Sequence, residues 1–214
     1  MVAYDVGCDY RKVATPELRA RYFGPMRPKF DPPRMTEEQR IPSYLKRLGL
    51  GPKDIDVVFL GHLHFDHAGG LSEFPGCDVH VHQAELEAAA TGLYHGVFPD
   101  EIAGNRVWRV QLRDYDVSPG VVAVCTPGHT AGHMSLIIEV PKGRPVVICG
   151  DAADLVENLT DEIAPGYCWQ DNEELAVESI RKLKAIERET NADLWPNHDF
   201  AFFNRLPQFP AWRE

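Results

Sequence analysis

The stretch IDVVFLGHLHFDHAGG, residues 55–70, changes character halfway along. Apart from Asp56, residues 55–60 are β-branched, aromatic or aliphatic, the pattern of a buried strand. After Gly61, residues 62–67 hold His62, His64, Asp66 and His67. Imidazoles and carboxylates crowded at the mouth of a buried strand cost free energy unless something binds them. A solvated, His-rich loop is the plain alternative to a metal grip. In an extended segment alternate residues share a face, so His62 and His64 can both address one ion. Asp66 and His67 lie past a turn, where they can serve a second. Gly69 and Gly70 are expected to let the backbone turn sharply there.

Three more candidate ligands stand at the ends of other apolar runs. TPGHT supplies His129 after residues 121–125, CGD supplies Asp151 after 146–149, and PNHD supplies His198 after 192–195. Zinc and related ions favour imidazole nitrogen and carboxylate oxygen, four or five to each ion. One ligand per strand end is how a rigid sheet converges side chains on a point. Seven such residues are too many for one tetrahedral site, so two divalent ions are expected, with zinc the first choice.

Other residues of the same types carry plainer expectations. His133, following His129 in the same loop, reads as a hydrogen-bonding partner that orients a ligand. His80 and His82 alternate with Val79 and Val81 and so lie on the polar face of a strand, and exposed loop placement is expected for His95. Asp5 is expected to fix a turn near the site, and Cys149 to be a small buried apolar group.

The composition sets outer bounds. With 214 residues, 44% hydrophobic content and no change of composition along the chain, one globular domain over residues 1–214 is expected. A net charge of −10 argues against nucleic acid or an anionic membrane as the main partner. The five cysteines are odd in number and lack CxxC spacing, so a disulfide framework is not expected. Residues 1–25 contain no apolar core of a leader, and no apolar run is long enough to span a membrane. A cytoplasmic location is the expectation.

Short β-rich runs recur at 2–6, 55–60, 78–82, 106–112, 121–125, 134–140, 146–149 and 192–195. Helical patterns are fewer: a capping box at Thr36–Gln39 or a start at Pro42, an Ala/Glu helix over 83–90, and an amphipathic helix over 171–189 capped by Asp171. Strands interspersed with helices suggest an α/β sandwich of two sheets flanked by helices. The proline-rich stretch 24–35 has no periodicity and reads as an ordered loop over a site.

HLHFDHAGG, taken with His129 in TPGHT, Asp151 and His198, resembles the dinuclear metallo-β-lactamase superfamily. MTEEQRIPSYLKRLG, VSPGVVAVCTPGHTAGHMSLIIE and ELAVESIRKLK bring it closest to the N-acyl-homoserine lactonase and pyridoxolactonase-like branch. The resemblance implies the αββα fold, with His62, His64 and His129 on one metal, Asp66, His67 and His198 on the other, and Asp151 bridging both. It implies opening of a lactone ring by a metal-bridging hydroxide, for which no serine or cysteine nucleophile is needed. Asp66 is then the residue expected to deliver a proton to the leaving alkoxide. A thioesterase of the glyoxalase II type, another ester or amide hydrolase, and a catalytically silent metal-binding relative are the alternatives.

Two departures stand out. Family chains carry further strands before the stretch matching VAYDVG, so the first sheet is expected to be short at its N-terminal edge, and an exposed edge invites pairing in a homodimer. The lactonases also place a tyrosine three residues after the bridging aspartate, where this chain has Asp154. An ionised carboxylate cannot donate to an oxyanion as a phenol can. Asp154, Tyr167, Phe23 and Phe30 are the candidate substrate-pocket residues, Tyr167 as a replacement donor and the phenylalanines as an apolar wall.

Overall fold

The computed structural model describes residues 1–26, 31–92, 94–104 and 106–211. The chain divides into two compact units, one of residues 1–81 and 89–110, the other of residues 82–88 and 111–214.

The first unit is built on a four-stranded sheet in the order β1-β2-β3-β4, with β1 Val2–Tyr4, β2 Val57–Phe59, β3 Asp78–His82 and β4 Val107–Gln111. β1 and β3 both run parallel to β2, with Tyr4 opposite Phe59 and Phe59 opposite His80. Parallel neighbours need long crossovers. That between β1 and β2 carries α1 Tyr10–Val13, α2 Pro16–Phe23 and α3 Ile41–Arg47, and that between β2 and β3 carries α4 Phe65–Ala68. Val58, Phe59 and Leu60 are wholly buried, as the unbroken apolar run requires, whereas β3 alternates with Val79 and Val81 inside and His80 half-exposed. The polar-face reading of His80 and His82 therefore holds.

The second unit opens on α5 Gln83–Ala90 and carries the sheet β5-β6-β7-β8-β9. Its strands are β5 Tyr115–Ser118, β6 Val121–Cys125, β7 Met134–Ile138, β8 Val146–Gly150 and β9 Asp193–Pro196. β5 to β8 form an antiparallel meander; β9 joins β8 in parallel. In chain order, α6 Pro99–Ile102 belongs to the first unit, and α7 Val156–Asp161, α8 Glu173–Thr190 and α9 Phe200–Phe203 to the second. α8 is the crossover that returns the chain for β9. It buries Ala176, Ser179, Ile180 and Leu183, spaced at i, i+3, i+4 and i+7, and Ile180 and Leu183 join Val147, Cys149, Ala152, Ala153, Leu159 and Ala192 in one core.

Several expectations need adjustment. Asn172, one residue past Asp171, caps α8: its side chain accepts from Leu175 N–H at 3.1 Å, while Asp171 sits at φ +56. The Thr36–Gln39 box is present, with Thr36 N–H donating to Gln39 Oε1 at 2.8 Å, but it starts a 3-10 turn over Glu37–Gln39. α3 then begins afresh with Pro42 in its first turn, so both readings of that stretch describe real features. α1, α2, α4, α6, α7, α9 and β5 had no expectation. Only the part of the 24–35 loop within the described residues can be placed, and Phe30 lies outside it.

Gly69 and Gly70 are a clear correction. Gly69 has helical φ −59 and ψ −36, and neither glycine has positive φ, so no unusual turn demands them. A Cβ on Gly69 would stand 2.5 Å from Asp9 N, and one on Gly70 2.1 Å from the Val6 carbonyl oxygen. Close approach of two backbones, and not turn geometry, requires glycine here. Among the described residues no helix is long and apolar enough to cross a membrane.

Candidate metal centre

In the first unit the chain leaves β2 through buried Leu60 and Gly61 and remains extended to His64, which opens α4 at φ −61 and ψ 152. The extended stretch puts His62 and His64 side by side: His62 Nε2 and His64 Nδ1 are 2.9 Å apart, with ring centroids 4.5 Å apart. α4 then turns Asp66 and His67 back toward them, the His67 ring lying 4.0 Å from that of His62. Asp66 Oδ2 is 3.7 Å from His67 Nε2. His62 and His67 are buried, while the Asp66 side chain keeps 31% exposure.

Asp5 holds this array from behind. Its Oδ1 accepts the Gly61 N–H at 2.8 Å and its Oδ2 lies 2.6 Å from His67 Nδ1. Asp5 thus lies beside the site, where its carboxylate ties the Gly61 backbone to the ring of a candidate ligand. Gly96, at φ +83, lies flush against His64, where a Cβ would approach Cδ2 to 2.9 Å. Loss of a ligand's orienting carboxylate typically costs ten- to a hundredfold in metal affinity, so Asp5→Ala is expected to weaken metal binding by about that factor. Chelator competition on the folded variant checks this, and wild-type affinity would refute it.

In the second unit Asp151 follows β8 at Gly150, whose φ of +58 turns the chain. Asp151 is 3% exposed, and its carboxylate is surrounded. His129 Nε2 stands 3.3 Å from Oδ2, His198 Nε2 lies 3.2 Å from both oxygens, and Asn197 Nδ2–H donates to Oδ1 at 2.9 Å. His129 is oriented by its Nδ1, 3.1 Å from the Tyr167 carbonyl oxygen.

His133 shows the buried, orienting role expected of it. The Asp151 N–H donates to His133 Nε2 at 3.0 Å, so that nitrogen carries no proton and the ring donates through Nδ1 to Thr126 Oγ1 at 2.9 Å. Ser135 donates its hydroxyl proton to the Cys149 carbonyl at 2.7 Å, which leaves Thr126 as donor to Ser135 at 2.8 Å. A neutral, single-tautomer chain thus fixes the backbone of Asp151. Cys149 is fully buried and its thiol is pushed up to about 12 by that burial, so it is inert packing.

Asp154 is tied to the same corner, its carbonyl accepting the His198 N–H at 2.9 Å. Asp151, Asp154 and His198 each offer one ligand atom within 4.8 Å of the others. Burial first, and Asp151 second, raise the Asp154 carboxyl above the ordinary carboxylate range. Of the other pocket candidates, Tyr167 is half-buried with its ring edge-on to His129, centroids 5.7 Å apart. Phe23 is 1% exposed and packs edge-on against Phe65 and Phe98, at 5.0 and 5.4 Å, behind the ligand segment. His95 is exposed.

Sequence reasoning missed Asn197, Thr126 and Ser135. Asn197 adjoins His198 in PNHD, and Thr126 and Ser135 flank the His129–His133 loop. Adjacency to proposed ligands was the available signal, but hydrogen-bonding serine, threonine and asparagine are too common for it to discriminate.

The wider comparisons agree with this donor chemistry. Residues 30–198 match the metallo-beta-lactamase superfamily. An N-acyl homoserine lactonase of a Bacillus species is 38% identical over 181 residues, covering 84% of this chain and 70% of the relative. The lactonase AttM of Rhizobium radiobacter is 28% identical over 203 residues, covering 84% and 72%. A solved N-acyl homoserine lactone hydrolase with N-hexanoyl-L-homoserine at its catalytic metal centre is 33% identical with a TM-score of 0.85, covering 98% of this chain and 80% of that one. A variant of AiiA from B. thuringiensis, with N-decanoyl-L-homoserine at its active site, is 32% identical at the same TM-score and coverage. With two helix-flanked sheets in the α/β fold of these enzymes, the chain belongs to the metallo-β-lactamase superfamily.

Proposed function

We propose that this chain is a metal-dependent hydrolase of the lactonase branch that opens the ring of an N-acyl-homoserine lactone or a related lactone. The observation that carries it is Asp151: a buried carboxylate approached by His129 on one oxygen and by His198 on both is arranged as a shared ligand of two ions. The donor set fits that role. Three imidazoles of HLHFDH crowd ring against ring, and neutral imidazole and carboxylate are the ligands divalent zinc favours. By the family's motif, His62, His64 and His129 would hold one ion and Asp66, His67 and His198 the other, with Asp151 serving both. On this reading residues 1–214 form one hydrolase domain.

When bound, such ions supply an activated water and polarise the substrate carbonyl. The chain's own residues do the rest. Asp5 and the Tyr167 carbonyl hold His67 and His129 in fixed ring orientations, and His133 holds the Asp151 backbone. Asp66, its side chain 31% exposed beside His67, is the residue placed to pass a proton to the leaving ring oxygen. Asp154 puts a short carboxyl where the lactonases place a phenol, and this departure favours a substrate beyond the simplest acyl-homoserine lactones, another lactone or ester among them.

The test is a panel of acyl-homoserine lactones, other lactones and thioesters, with metal content measured on the same preparation. Two ions per chain and lactone opening that disappears on chelation and returns with zinc are expected. Hydrolysis indifferent to metal removal would refute the mechanism; turnover of thioesters alone would refute the substrate class.

A further inference from the structure

We propose that Asp154 is itself a metal ligand, binding the same ion as His198 and Asp151 and adding a carboxylate that the resembling lactonases do not have at this place. The inference rests on the metallo-hydrolase reading and extends it to a residue outside the family's ligand set.

Backbone register fixes the geometry. Asn197 N–H donates to the Ala153 carbonyl at 3.1 Å and His198 N–H to the Asp154 carbonyl at 2.9 Å, so residues 153–154 and 197–198 are pinned side by side. That pinning brings ligand atoms of Asp151, Asp154 and His198 within 4.8 Å of one another. Asp154 Oδ1 is enclosed and receives no hydrogen bond, whereas both oxygens of Asp151 are engaged by neighbouring side chains. The Gly166 N–H, His129 and His198 favour the carboxylate, but the enclosed Oδ1 itself has no donor, and an unmet buried oxygen carries a desolvation cost. Two carboxylates this close also repel unless a cation stands between them. No lysine or arginine among the described residues forms an ion pair with Asp154. A divalent ion satisfies the orphan oxygen, relieves the repulsion and uses His198 in one arrangement. The resulting site is richer in oxygen than one with the phenol, and its positive charge is lower by one.

The wild type, Asp154→Asn and Asp154→Ala would be stripped of metal and titrated with Co(II) and then Zn(II) against a chromophoric chelator. The Co(II) visible spectrum would be recorded at each step and folding followed by circular dichroism. Two binding constants are expected in every protein. One should be unchanged and the other weakened ten- to a hundredfold in both variants, with a changed Co(II) band for the weakened site alone. Asn keeps the shape of the side chain, so a matching loss in Asn and Ala marks the charge and not a packing defect. Unaltered constants and spectrum in Asp154→Ala would overturn the assignment and leave the metallo-hydrolase reading intact. A wild type that binds neither ion would overturn both.

Discussion

Replacing Asp151 by alanine is expected to lower lactone hydrolysis by about a thousandfold or more, ~4 kcal/mol of barrier, in a protein that still folds. Residues that merely orient a metal ligand are worth ten- to a hundredfold in affinity or activity, so loss of a ligand shared by two ions must exceed that. Asp151 is buried, and His129, His198 and Asn197 all converge on its carboxylate. Alanine removes the carboxylate on which His129, His198 and Asn197 converge. The fold should survive, because the adjoining core is made by Val147, Cys149, Ala152 and Ala153, none of which needs the carboxylate. The measurement is kcat/KM together with bound metal. Asp151→Asn separates charge from shape, since it keeps the bond lengths and loses the anion. A rate within tenfold of wild type, with two ions retained, would remove Asp151 from the centre and with it the proposed mechanism.

The parts of this molecule that could be read from residue types are those where chemistry permits few substitutes. Seven ligand candidates were legible because only imidazole, carboxylate and thiolate bind such ions well, and they stood at the ends of apolar runs. Asp5 was legible as a residue near the site; its grip on His67 was not, because the pairing depends on a parallel crossover between β1 and β2. Asn197, Thr126 and Ser135 were hidden for the same reason: their partners are set by tertiary register. Strands at 121–125 and 146–149 were legible as apolar runs, while β5 was missed because Asp114 and Asp116 mask the alternation of Tyr115 and Val117. α2 shows how much tertiary context decides. Its start has Thr15 accepting from Leu18 N–H at 3.3 Å and Pro16 in the first turn, both readable signals, but its polar body has no continuous apolar face and buries only Phe23.

Gly70→Ala is expected to destabilise the protein by about 3 kcal/mol or more and to weaken metal binding with it. The methyl group would have to occupy a point 2.1 Å from the Val6 carbonyl oxygen and 3.1 Å from its carbon. Those are backbone atoms, so no rotamer change relieves the collision. The segment cannot yield freely either: Val6 N–H donates to the His67 carbonyl at 2.7 Å and Gly70 N–H to the Gly7 carbonyl at 2.9 Å, stitching residues 6–7 to the ligand helix from both sides. Reaching ordinary contact means displacing one backbone from the other and losing one or both bonds, each worth about 1 kcal/mol. Asp5 moves with Val6, and its hold on His67 and Gly61 goes with it. A thermal transition lower by roughly 10 °C should accompany a drop in bound metal. Gly76→Ala is the control, since Gly76 sits at φ +87 with nothing within 4 Å of a built Cβ, so it should lose only about 1 kcal/mol to backbone strain and keep its metal. A Gly70→Ala protein melting no lower than Gly76→Ala would mean that the two backbones are not in the contact that holds the HLHFDH segment in place.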